Sequence, residues 1–170
     1  MFPDPLHPAV VHFPIVLLLL GAPLAVAAVF WRKNLLPSLV ALVLVMGGGG
    51  ALVATFTGEQ EAEMAGELSP AGEQALEEHE EWGERARNFG VVAALLACAS
   101  AASFRWPAPA RGLGAAAALA ALAAAFAVAQ AGHFGGQVVY KHGVGVNTAA
   151  AGESSAVAPH SKGKKQDDDD

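Results

Sequence analysis

The chain has 170 residues, 54% of them hydrophobic and 15% charged, with a net charge of −6. Soluble domains carry about 25% charged residues, so the composition argues against a soluble enzyme, and it is too apolar for a disordered chain. The acidic balance argues against a nucleic-acid binder, which would show a basic stripe. A single cysteine, Cys98, leaves no internal disulfide, and the lack of Cys-x-x-Cys-His excludes covalent c-type haem.

Four apolar segments follow in chain order, residues 9–31, 35–56, 89–104 and 112–131. A membrane-spanning helix needs about 20 apolar residues. The first, second and fourth segments meet that length. The third is short, but Trp82 and Arg87 before it and Trp106 after it are residues that anchor at membrane interfaces. The expected fold is all-α, an integral membrane up-down four-helix bundle over residues 1–147. The first apolar run has no positive flank and is too long for a signal peptide. From about residue 147 the chain turns Ala/Gly/Ser-rich and ends in four aspartates. Residues 148–170 therefore read as a disordered extracytoplasmic tail, with His160 incidental.

Arg32 and Lys33 fill the tight turn between the first two segments, and Arg105 and Arg111 flank the turn between the last two. Residues 58–84 hold ten Glu and no Lys or Arg. The positive-inside rule then makes the two short turns cytoplasmic and puts both termini outside, in the periplasm for an inner-membrane protein of a Gram-negative bacterium. Arg85, Arg87 and Lys141 fall on the outer side and weigh against this. Within the acidic stretch, residues 59–64 extend the second helix. Ser69-Pro70 reads as an N-cap followed by proline at the first helical position. From there a helix runs unbroken through Glu77, His79 and Trp82 into the third span, so the bundle projects on the outer side. The glutamates form a solvated face or, alternatively, a docking patch for a basic partner.

His7 and His12 lie at the outer end of the first helix, His79 precedes the third span, and His133 and His142 lie at the outer end of the fourth. At 1.5 Å per residue, His12 stands about 30 Å from Arg32, His133 about 33 Å from Arg111, and His79 about 39 Å from Arg105. Arg85 falls near 30 Å by the same count. Gln130, His133, Gln137 and Tyr140 recur as one polar stripe on the fourth helix. His79, Gly83, Ala86 and Gly90 share a face, as do Gly47, Ala51, Ala54 and Gly58. Small faces permit close helix packing; beside a polar stripe satisfied inside the bundle, they also suggest a cofactor slot.

Haem b, one or two per chain, suits neutral imidazoles on different helices. Arg85 and Arg87 stand where propionates would need them. Depth pairs His12 with His133 first and His79 with His142 second, with His7 as a further candidate. Copper or zinc on His12, His79, His133 and His142 is the rival, although no helix carries His-x-x-x-His or Glu-x-x-His spacing. Apolar midplanes argue against a transporter. No Ser/His/Asp set or phosphate loop points to a hydrolase. An electron carrier or a non-catalytic accessory subunit is thus favoured over a stand-alone enzyme. The partners to expect are the lipid bilayer, a quinol, and an extracytoplasmic redox protein or a larger membrane complex.

Leu6-His7-Pro8, Val11-His12-Phe13-Pro14, Thr57-Gly58, His79, Gly132-His133-Phe134-Gly135-Gly136 and Val139-Tyr140-Lys141-His142-Gly143-Val144-Gly145-Val146 together resemble the bacterial four-helix membrane family catalogued as domain of unknown function 2231. The resemblance covers about residues 5–147. That family is similar in architecture to the two-haem membrane cytochromes. The resemblance implies a b-type cytochrome role for His7, His12, His79, His133 and His142, with Gly136 among the cofactor-binding residues.

Overall fold

The computed structural model describes residues 7–31, 35–63, 68–103 and 105–143. The tail, Arg32 and Lys33 lie outside the described residues. The elements are α1 (His7–Val10), α2 (His12–Phe30), α3 (Leu36–Glu63), α4 (Pro70–Ala102) and α5 (Pro107–Tyr140). Backbone bonds from the amides of Val11 and Ile15 to the carbonyls of His7 and Val11 carry α1 into α2 as one rod. Each long helix packs on two others, in the cyclic order α2, α3, α4, α5. This is the expected all-helical up-down bundle.

The joints follow from the sequence. Ser69 caps α4 by accepting from the Gly72 amide at 3.2 Å, and Pro70 opens the helix where its missing N–H costs nothing. α4 then runs unbroken for 33 residues, carrying His79 and Trp82 into the apolar segment. At the other end of the bundle the buried Ser100 hydroxyl donates to the Ala110 carbonyl at 2.7 Å and ties α4 to α5. The helix formed by α1 and α2, together with α3 and α5, is long and apolar enough to cross a membrane. α4 falls outside that group because its first half carries the glutamates and two arginines. Its apolar second half is packed between α3 and α5 at membrane depth. Leu119 is 69% exposed and Leu20 55%, so the outside of the bundle is an apolar surface suited to lipid.

The core is built from small residues at alternating spacings of four and three. Pro14, Leu18, Gly21, Ala25 and Ala28 bury on α2, and Val40, Leu44, Gly47, Ala51 and Ala54 on α3. Gly90, Ala93, Ala97 and Ser100 do so on α4, and Ala117, Ala121, Ala124 and Val128 on α5. This heptad seam belongs to left-handed bundles. Leu18 and Leu44 are the two largest fully buried side chains. Each lies against glycine: a Cβ added to Gly47 or Gly90 would stand 3.1 Å from Leu18, and one on Gly21 would stand 2.6 Å from Leu44. The glycine faces expected to form a cofactor slot are therefore closed at this depth by Leu18. Gly48 faces the Gly90 backbone, where an added Cβ would sit 3.0 Å from the carbonyl oxygen.

Gly48→Ala should therefore cost about 1–3 kcal/mol through overpacking against rigid backbone. Gly49→Ala, which meets nothing within 4 Å, should be neutral or slightly stabilising through helix propensity. Thermal unfolding of both variants in detergent checks the contrast.

Candidate functional site: a histidine layer at one end of the bundle

The seam spacing continues beyond the alanine core into the end of the bundle that holds the histidines. On the α1–α2 rod it steps back through Val11 to His7, and on α3 forward to Gly58. On α5 it reaches Ala131 and Gly135, and on α4 His79 holds the corresponding place. These four positions form one layer. His7 lies over Gly58, where an added Cβ would stand 3.1 Å from Cε1 and Nδ1. His79 lies over Gly135, where it would stand 2.9 Å from Nδ1. Histidine and glycine thus alternate around the ring of helices.

Both rings are held in the same way. His7 Nδ1 bonds the Ala54 carbonyl at 2.8 Å, and His79 Nδ1 bonds the Ala131 carbonyl at 2.9 Å. Each carbonyl belongs to the residue four before the glycine beneath the ring. A carbonyl only accepts, so each neutral ring carries its proton on Nδ1 and leaves the Nε2 lone pair available. Neither Nε2 has a hydrogen-bond partner among the described residues. The Thr57 hydroxyl, which donates to the Val53 and Ala54 carbonyls, stands 3.4 Å from His7 Nδ1. The Glu61 carboxylate accepts from the His7 backbone amide at 2.7 Å.

The two rings meet edge to face, with centroids 6.3 Å apart and planes at 82°. No group of three or more His, Cys, Asp or Glu side chains among the described residues is arranged to hold a metal ion. Nearby, Gly132 and Gly136 have nothing within 4 Å of an added Cβ, and Gly83 has only Thr55 Cγ2 at 4.0 Å.

The other candidates stand apart from this layer. His12 is exposed, and its Nδ1 donates to the Pro8 carbonyl of its own rod at 2.9 Å. His133 is exposed on α5, where its Nε2 accepts from the Gln137 side chain at 2.9 Å and its ring rests on Phe134. Lys141 donates to Gln137 Oε1 at 2.9 Å, and Tyr140 is 90% exposed. Of the polar stripe expected inside the bundle, His133 and Tyr140 are exposed, Gln130 and Gln137 are half-buried, and Gln137 is bonded along its own helix to His133 and Lys141. The stripe lies in the last turns of α5, where water and headgroups can also serve it. Gly143, at φ +67°, closes the helix after Tyr140 and lets His142 pack over Gly72, about 10 Å along α4 from His79.

Arg85 lies 4.5 Å above the Trp82 ring and pairs with Glu81 at 2.6 Å. Arg87 is held by Glu84 at 3.4 Å and by Glu59 at 3.9 Å. Both guanidiniums are thus already engaged by carboxylates. Thr57, Gly135 and Glu61 gained no site role from residue spacing alone, whereas Gly58 stood on the small-residue face read as a cofactor slot. The signal that marks the two glycines is their place on the seam, facing histidine.

Glu80, beside the pair, has its pKa raised from the ordinary 4.5. Partial burial of the carboxyl is the largest cause, although the side chain reaches solvent. His79 pulls the other way, and Glu59, Glu84 and Glu77 push it further up. The folded state thus holds this proton more tightly than the unfolded chain does. That advantage is fully present below the unfolded value and is lost as pH rises through the folded one.

The fold and this layer define a helical membrane bundle with a paired-histidine end. The chain belongs to the family described as predicted membrane protein (DUF2231), which it matches over residues 3–148. No curated protein and no solved structure matches it.

Two outcomes follow. Nitrogen-15 NMR of the neutral imidazoles should show Nδ1 protonated in both His7 and His79; an Nε2–H form in either contradicts the carbonyl bonds. Glu80→Gln should raise the thermal midpoint at pH 7, and its advantage over the parent chain should vanish as pH falls below 4.5.

Proposed function

We propose that this chain is an integral membrane electron-transfer protein in which His7 and His79 would hold a b-type haem. It passes electrons between a membrane quinol or membrane enzyme and an extracytoplasmic partner. The observation that carries this reading is the layer of two carbonyl-held imidazoles whose Nε2 atoms have no hydrogen-bond partner among the described residues, with centroids 6.3 Å apart. Haem, when bound, supplies a one-electron iron couple. The chain's own part is to fix both ring orientations and tautomers. Nδ1–H bonds to carbonyls also raise the basicity of the ligating nitrogens. Gly83 and Gly136 add no side-chain bulk to α4 and α5 at this end of the bundle.

The positive-inside rule supports an orientation with Arg105 and Arg111 at the cytoplasmic face and the histidine layer at the outer face of a bacterial inner membrane. Electrons leaving at that level would have a short path to a soluble partner.

One observation favours a second reading, a bare copper or zinc ion on the same two imidazoles. Arg85 and Arg87, the groups suited to propionates, are already paired with glutamates, and Leu18 closes the glycine faces below the layer. An ion needs neither arginines nor a slot.

The test is a dithionite-reduced minus oxidised absorption spectrum of detergent-purified protein, with haem and metals quantified per chain. A reducible b-type spectrum with haem present stoichiometrically is the expected result. Metal without porphyrin selects the ion reading. Neither, after expression with ample haem and metal, overturns both and leaves an accessory subunit.

A further inference from the structure

We propose that Glu61 is the positioning residue for His7, and that it decides whether the two-histidine centre assembles. The inference rests on the reading that His7 and His79 share one ligand. The two rings need different support. His79 lies in the interior of a 33-residue helix, so its backbone is fixed on both sides. His7 is the first described residue of the α1–α2 rod, and its backbone N–H is bonded outside its own helix. The Glu61 carboxylate, reaching across from α3, accepts that N–H at 2.7 Å. A carboxylate is favoured there by the positive end of the helix dipole.

Glu61 lies seven residues beyond Ala54, about two turns along the same face of α3. One helix therefore grips His7 twice, through its backbone by Glu61 and through its ring by the Ala54 carbonyl. With both points fixed, the His7 ring is held in place beside His79, centroids 6.3 Å apart. Pro8, the next residue, has no N–H to offer in compensation. Among the described residues Glu61 provides the side-chain bond to the His7 backbone. Its neighbours Glu59 and Glu63 are exposed.

The experiment uses the full chain in detergent as Glu61→Ala and Glu61→Gln, with three readouts. The first is affinity for added haemin and for zinc. The second is the rate at which diethyl pyrocarbonate modifies His7 relative to His79, followed by peptide mass spectrometry. The third is the thermal midpoint. Glu61→Ala is expected to weaken ligand binding about 10–100-fold, as removal of an outer-shell partner does, and to speed His7 modification while His79 stays unchanged. Glu61→Gln retains an acceptor oxygen and should restore both. Parental affinity and parental His7 reactivity in Glu61→Ala overturn the proposal. So does a Glu61→Gln variant as impaired as Glu61→Ala. If the parent chain binds neither haemin nor zinc, the shared-ligand reading fails. The His7 modification rates then decide separately whether Glu61 positions the ring.

Discussion

Close helix approach is the constraint from which the rest of this structure follows. A seam of alanine and glycine brings the helices so near that a large side chain fits only where glycine faces it. Leu18 meets Gly47 and Gly90, and Leu44 meets Gly21. His7 meets Gly58, His79 meets Gly135, and His142 packs over Gly72. In a bilayer the gain comes from packing rather than from expelling water, because lipid tails are as apolar as the core. Each large group is therefore matched to a specific vacancy.

The same rule explains how two polar rings are accommodated at a bundle end without strain or loss of hydrogen bonds. A glycine that makes room for an imidazole also bares the helix backbone, and the carbonyl one turn earlier becomes reachable by Nδ1. Space and tautomer are thus set by one substitution pattern, used once on α3 and once on α5. What remains is the Nε2 lone pair of each ring, without a hydrogen-bond partner among the described residues. Glu61 extends the device to the one histidine that lacks helix on its N-terminal side among the described residues.

Much of the fold was legible in the sequence. The apolar runs gave the helices, Ser69-Pro70 marked the start of α4, and the continuity of α4 through His79 followed from the absence of a breaker. The histidine layer was only half legible. Counting from the arginine end, His7 stands about 37 Å up and His79 about 39 Å. The arithmetic that matched His12 with His133 therefore also set His7 beside His79. Choosing between the pairs needs rotation as well as depth. His7 falls on the seam of residues 14, 21 and 28, whereas His12 falls on the opposite side of its helix. Polarity cannot reveal that seam, because the helices are apolar on their lipid face and their core face alike. Side-chain size separates the two better, with mostly Ala and Gly inside beside Leu18 and Leu44, and most Leu and Phe outside. Gln130, His133, Gln137 and Tyr140 were misleading for a related reason. Polar residues in a membrane helix are drawn inward only where no water or headgroup can satisfy them. Glu61 resembled the other acidic residues, and only its bond to the His7 amide distinguishes it.

The most direct test of the account is ligand stoichiometry across four single variants, His7→Ala, His79→Ala, His12→Ala and His133→Ala, measured as bound haem or metal per folded chain. The account predicts loss of the centre in the first two and its retention in the last two. Retention in His7→Ala or His79→Ala, with loss in His12→Ala and His133→Ala, would contradict it.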